Sequence, residues 1–148
     1  MKTIHTELGV GAPAAITWGV ITDLEGWARW NPVMRGEGRF ELGARPHITI
    51  APPGAKPILL QPEIVKLDEG KEVRWLRRMA VPGLLDGEHG IRVVAEDTGR
   101  CRLEHFEVFR GLLANFFIGR NAKAIETGFQ AMNRSLKREA ERVARERA

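Results

Sequence analysis

One cysteine, Cys101, in 148 residues excludes an internal disulfide and any cysteine-rich metal site. Its strand-like surroundings make it a buried structural thiol rather than a nucleophile. No stretch of about 18 apolar residues occurs, so no integral membrane segment is expected. The opening residues, MKTIHTELGV, lack an apolar signal core followed by a small-residue cleavage site. Export is therefore not expected, and the cytoplasm is the expected compartment. Internal repeats, low-complexity segments and linkers are also missing, and residues 1–148 suit one domain with a sizeable core. Charge of one sign is lacking too. The net charge is +4, but bases and acids alternate, as in KREAERVARERA at the C-terminal end. A nucleic-acid surface needs a one-signed patch, so nucleic acid is not an expected partner and the mixed charges read as a solvated helix face.

What is present is a sequence of clear periods. Lys2 to Val10 carries Ile4, Leu8 and Val10 at even spacing and reads as a half-buried strand. Gly11-Ala12-Pro13 breaks it, and proline suits the first turn of a helix running from about Pro13 to Asp23. A second short helix, Leu24 to Trp30, stops at Asn31-Pro32 because proline disfavours helical geometry in the residue before it. Six strands are then predicted: Met34–Leu42, Arg45–Ala51, Ile58–Asp68, Glu72–Met79, Leu85–Glu96 and Arg100–Arg110. The turns between them, including Pro52-Pro53-Gly54 and Asp97-Thr98-Gly99, are too short for parallel crossovers and predict an antiparallel meander. Pro62 marks an edge or a bulge within its strand. From about Leu112 the period changes. Ile118, Ala122, Ile125, Phe129, Met132, Leu136 and Val143 form one apolar stripe on a long C-terminal helix, which needs a wide surface beneath it. The fold class is thus α+β: a curved antiparallel sheet of about seven strands, with two short helices and one long helix on one side.

Strand alternation assigns the faces. Cys101, Leu103, His105, Glu107 and Phe109 lie opposite the charge-rich set Arg102, Glu104, Phe106, Val108 and Arg110, and should point inward. By the same test His89, Ile91 and Val93 face inward, as do Val73, Trp75 and Arg77. The interior is then mostly apolar with four polar groups: Arg77, His89, His105 and Glu107. Apolar walls with a few orienting polar groups are the usual form of a small-molecule site. The same four could instead satisfy one another, above all as an Arg77–Glu107 ion pair, and the two roles can coexist. His105 or His89 could act as general base and Arg77 as oxyanion stabiliser, making His105, Glu107 and Arg77 the candidate catalytic set. His89, His105 and Glu107 could form a metal-ligand set were the strands to bring them side by side, but His5 and His47 lie apart without ligand-like spacing. No metal and no cofactor are expected.

Trp18 reads as core, Trp75 as interior lining, and Trp27 and Trp30 stand before the Asn31-Pro32 break where the helices meet the sheet's edge. A stripe of small residues, Asn121, Ala124, Gly128, Ala131 and Ser135, runs beside the bulky one, and Gly128 reflects either close packing or room for a ligand. Leu112, Leu113, Phe116 and Phe117 form a dense apolar group that could gate a cavity, dock on the sheet or join a second subunit, so a homodimer stays open.

The ordered set Ala12-Pro13, Trp18, Asp23, Trp27, Trp30-Asn31-Pro32, then Gly87-Glu88-His89-x-Ile91 and Gly99-x-Cys101-Arg102-Leu103-x-His105-x-Glu107-x-Phe109-x-Gly111, resembles the polyketide cyclase/dehydrase branch of the START-like (SRPBCC) superfamily. Several relatives carry an aromatic where this chain has Ile91. The resemblance implies a helix-grip fold with a cavity between the sheet's concave face and the long helix. It also implies a cavity mouth near Trp27 and Trp30. It does not choose a function, because that superfamily holds carriers, cyclases and chaperone activators. The expected function is binding, or transport, of a small hydrophobic or amphipathic molecule. The candidate contacts are Trp27, Trp30, Trp75, Arg77, His89, Ile91, Leu103, His105, Glu107, Phe109, Ile125, Phe129 and Met132. One alternative is a cyclase, aromatase or dehydratase; another is a protein–protein module. A hollow interior with the polar groups aimed at its centre favours binding or catalysis. A closed one with Arg77 and Glu107 paired favours the module.

Overall fold

The computed structural model describes residues 1–51, 56–79 and 81–148; the turn expected at Pro52-Pro53-Gly54 lies outside them. Strand β1 (Lys2–Val10) leads into helix α1 (Ala14–Thr22), whose first turn is closed on the Pro13 carbonyl by Ile16 N, Thr17 N and Thr17 Oγ1. Helix α2 (Trp27–Trp30) ends at Asn31, where the Asn31 Oδ1 accepts from Val33 N at 3.0 Å and Met34 N at 2.9 Å. That side chain turns the chain into β2 (Met34–Glu37), followed by β3 (His47–Ile50), β4 (Ile58–Leu60) and β5 (Glu63–Asp68). Then come β6 (Glu72–Met79), β7 (Leu85–Asp97), β8 (Arg100–Arg110) and the 34-residue helix α3 (Ala114–Arg147).

The strands form two antiparallel groups, β1-β8-β7-β6-β5 and β2-β3-β4, rather than one sheet of about seven. The stretch predicted as one strand from Ile58 to Asp68 is divided at Gln61-Pro62, with β4 in the smaller group and β5 in the larger. Proline has no N–H for a ladder, so the chain can change sheets there at little cost.

Helix α3 lies on the concave face, against β1 and β8, with Phe129, Met132, Asn133, Leu136 and Ala140 buried. Its first half is shallower: Phe117, Ile118, Ala122 and Ile125 are only half-buried. A Cβ on Gly128 would stand 4.0 Å from Val33 Cγ1, an ordinary contact, so close packing does not demand glycine there. The larger core gathers Trp18, Ile21, Leu24, Trp27, Trp75, Ile91, Leu103, Met132 and Leu136, and a smaller one gathers Ile4, Leu85, Phe109, Ala114 and Phe129.

The convex face is not simply solvated. Glu72 receives Arg74 Nε at 2.5 Å and Arg92 Nε at 2.9 Å, and Arg92 also reaches Glu104 at 2.8 Å. Burial, the largest single influence, opposes ionisation of Glu72, yet bonds from Arg92 and Arg74 hold its carboxyl at about 2. Phe106 lies beneath Arg74 and Arg92, whose guanidinium carbons stand 4.9 and 5.1 Å from its ring. It sits over Gly90, where a Cβ would run into that ring.

Candidate functional site

The β6–β7–β8 register sets Trp75, His89 and Glu107 side by side across three strands, and Ile91 opposite His105. His89 and Glu107 therefore share the inward face, and His105, two residues before Glu107, lies diagonally across. All three are buried, with Glu107 6% exposed and His105 1%. His89 Nε2 and His105 Nε2 are 2.5 Å apart. Trp75 stacks on His89 at 4.4 Å between centroids, and Phe129 stacks on His105 at 4.1 Å. The two imidazoles thus stand between the larger core and the smaller one.

The hydrogen bonds around His105 fix its tautomer. Asn133 Nδ2 donates to Thr6 Oγ1 at 2.8 Å, leaving Asn133 Oδ1 to accept from His105 Nδ1–H at 2.8 Å. Thr6 Oγ1 in turn donates to the His105 carbonyl at 2.8 Å. Burial first, and then the neighbouring His89, push the His105 pKa well below its ordinary value, so the ring is neutral. Its bare Nε2 accepts from His89 Nε2–H, and His89 Nδ1 is left facing Glu107 Oε1 at 3.7 Å. Both nitrogens of His105 are engaged.

Glu107 differs from Glu72, Glu88 and Glu104, which arginines hold on the convex face. Its nearest cation is Arg77, with Nη2 to Oε2 at 3.9 Å, and among the described residues no hydrogen bond reaches its carboxylate. Gly87, opposite Arg77 in the register, makes the space: a Cβ there would collide with Glu107 Oε2. Arg77 is partly accessible and lines an open hollow of about 250 Å³ with Leu59, Leu60, Pro62 and Leu76 and the polar Arg45, Gln61, Glu63 and Arg78; Glu107 stands behind Arg77 and does not line it. The histidines are thus closed in by stacked rings, and of the four inward polar groups only Arg77 lines the hollow.

The remaining candidates divide. Ile91, Leu103 and Met132 are buried in the larger core beside Trp75, and Phe109 packs on Phe117 at 5.4 Å in the smaller one, with Ile125 half-buried against it. Trp27 is core: its indole N–H donates to Ile21 O at 3.0 Å and its ring meets Phe40 edge-on at 6.1 Å. Trp30 lines a separate hollow of about 170 Å³ among Ile16, Asp23, Arg29 and Glu139, which shares no residue with the polar set. The alternation argument did not single out Thr6, Gly87 or Asn133. Thr6 carried a signal, since it falls in register between Ile4 and Leu8; Asn133, a polar residue next to Met132, shows its role only once α3 is docked.

The profile of the family described as polyketide cyclase / dehydrase and lipid transport matches residues 1–141. No curated protein sequence matches the chain. Among solved structures, the Zhui aromatase/cyclase from Streptomyces sp. R1128 is 18% identical with a TM-score of 0.72, covering 95% of this chain and 94% of that one. The di-domain aromatase/cyclase BexL of the BE-7585A biosynthetic pathway is 12% identical with a TM-score of 0.73 over 93% of this chain, which spans 47% of BexL. Norcoclaurine synthase from Thalictrum flavum, solved with dopamine and hydroxybenzaldehyde, is 18% identical with a TM-score of 0.66, covering 95% of this chain and 87% of that one. At such identities the likeness carries the fold alone: a helix grip, in agreement with the resemblance read from the sequence.

Proposed function

The chain belongs to the polyketide cyclase/dehydrase and lipid-transport family, and from that premise we propose that it binds a small amphipathic molecule whose polar end meets Glu107 and Arg77. The observation that carries this reading is the Glu107 carboxylate: 6% exposed, 3.9 Å from Arg77, 3.7 Å from His89, and without a hydrogen-bond donor among the described residues. A carboxylate set between Arg77 and His89 and taking no hydrogen bond from the described residues can accept one from a ligand hydroxyl or enol. Arg77 would donate to a neighbouring ligand oxygen, and the hollow walled by Leu59, Leu60 and Leu76 would take the apolar body. At about 250 Å³ it lies just below the usual range for small-molecule sites, which favours a compact ligand.

A second reading, acid–base catalysis of cyclisation or dehydration, has its own support. His89 Nδ1 faces Glu107, so a proton taken from a ligand could be held between them, while the His105–Asn133–Thr6 chain keeps the other side of His89 in place. Aromatase/cyclase activity is stated for two of the structural neighbours, and here it belongs to this proposal.

The test is native mass spectrometry of protein purified from its own host, with thermal-shift screening against lipids and polyketides. A co-purified mass, lost in Glu107→Gln and Arg77→Ala, is expected. A bare mass with no shift across the panel would sink the binding reading. Once a substrate is found, Glu107→Gln should slow turnover by about a hundredfold or more if the pair is the base; unchanged turnover in both Glu107→Gln and His105→Ala would leave binding alone.

A further inference from the structure

Two turns at one end of the sheet are stapled together. Leu112 N donates to Gly83 O at 3.1 Å and Leu113 N to Leu84 O at 2.9 Å, joining the β6–β7 turn to the β8–α3 turn. Both turns need glycine: Gly83 has φ +88° and Gly111 φ +116°, and a Cβ on Gly111 would stand 2.5 Å from Leu84 O. The result is a fixed tip, and apolar side chains project from it. Leu112 is 87% exposed, Phe116 66% and Val81 60%, with Leu113 and Met79 exposed beside them.

The charge around this tip is mostly positive. Residues 79–85 and 111–119 carry no charged side chain, and no acid occurs from 108 to 125. Arg78 and Arg110 flank the turns, Arg120 lies over the Phe116 ring at 5.9 Å, and Lys123 follows one turn on. The first turn of α3 has no acid, although the helix dipole favours one there. Asp86 and Glu88 are the nearby acids, and Glu88 is already engaged by Arg74 and Arg110.

We propose that this tip docks on an anionic lipid bilayer, with Leu112, Phe116 and Val81 entering the interface and the rim cations meeting the headgroups. Side chains this exposed form a convex projection, which a fluid bilayer accepts without matching shape, whereas a protein partner would need pockets to receive them. A second copy docked on the same patch would set Arg78, Arg110 and Arg120 against the same cations. The inference goes beyond ligand binding in the grip and does not depend on it.

The test is co-sedimentation of the full chain with phosphatidylcholine vesicles, with and without phosphatidylglycerol. Binding is expected to the anionic vesicles, to be released by salt, and to be weak on phosphatidylcholine alone. Arg120→Gln should weaken it about fivefold, and Leu112→Ser with Phe116→Ser by about tenfold or more, with the melting temperature of each variant reporting its fold. Absence of binding to anionic vesicles at low salt, or binding untouched by both variants, would overturn the proposal. Self-association abolished by the double substitution, without vesicle binding, would assign the tip to a second copy; absence of both would point to an acidic protein instead. Thermal shifts by interior ligands, measured without vesicles, test the grip separately.

Discussion

Acidification from neutrality to about pH 5 should destabilise this fold chiefly through His105. That ring is 1% exposed, and burial, followed by His89, pushes its pKa well below the ordinary 6.5. The unfolded chain takes up the proton near pH 6.5 while the folded protein does not, so below 6.5 the unfolded state binds more protons. The stability gained by keeping His105 neutral is complete above pH 6.5 and is lost as the pH falls toward the folded-state value, at about 1.4 kcal/mol per pH unit for one proton. Carboxylates act in a lower window. Glu72 is held at about 2, and Glu104, Glu139 and Glu141 lie below their ordinary 4.5, so the stability they contribute begins to be lost only below about pH 4.5. Urea midpoints measured across this range, for the wild type and His105→Gln, separate the effects. The wild type should lose stability as the pH falls below 6.5, by at most about 1.4 kcal/mol per pH unit, and the variant, less stable at the start, should lack that one-proton slope. Constant stability over the interval, or the same slope in both proteins, would refute a buried neutral His105.

Three further outcomes follow from particular contacts. Asn133→Ala removes two 2.8 Å hydrogen bonds and strands His105 Nδ1–H in the interior, so it should cost about 2–3 kcal/mol in urea unfolding; a loss well under about 1 kcal/mol would count against the clamp. Gly90→Ala drives a Cβ into the Phe106 ring held beneath Arg74 and Arg92, and should lower stability by about 1–3 kcal/mol in thermal or urea melts. Cys101 is fully buried with its thiol 3.3 Å from Thr17 Oγ1, and burial pushes its pKa up. Thiol reagents should therefore leave the native protein unlabelled at neutral pH and label it fully once urea unfolds it.

Local pattern alone determined much of this protein. The bounds predicted for Lys2–Val10, Glu72–Met79 and Arg100–Arg110 coincide with β1, β6 and β8, because unbroken alternation between glycine-bearing turns leaves a strand no other register. The same parity put His89, His105, Glu107 and Trp75 on the inward face, and the period of the stripe from Ile118 to Val143 required the long helix. Tertiary structure decided the rest. Which face a residue takes is local, but which partner it meets depends on chains 99 and 28 residues apart, as in the Thr6–His105 and His105–Asn133 bonds. The outward set looked solvated by charge, yet Glu72, Glu104 and Phe106 are buried because arginines from neighbouring strands close over them. Whether the four inward polar groups pair was equally undecidable from alternation. Packing answered it unevenly: the histidines bond to each other and to Asn133, while Glu107, beside the gap that Gly87 leaves, meets Arg77 only as a loose ion pair at 3.9 Å with no hydrogen bond from the described residues.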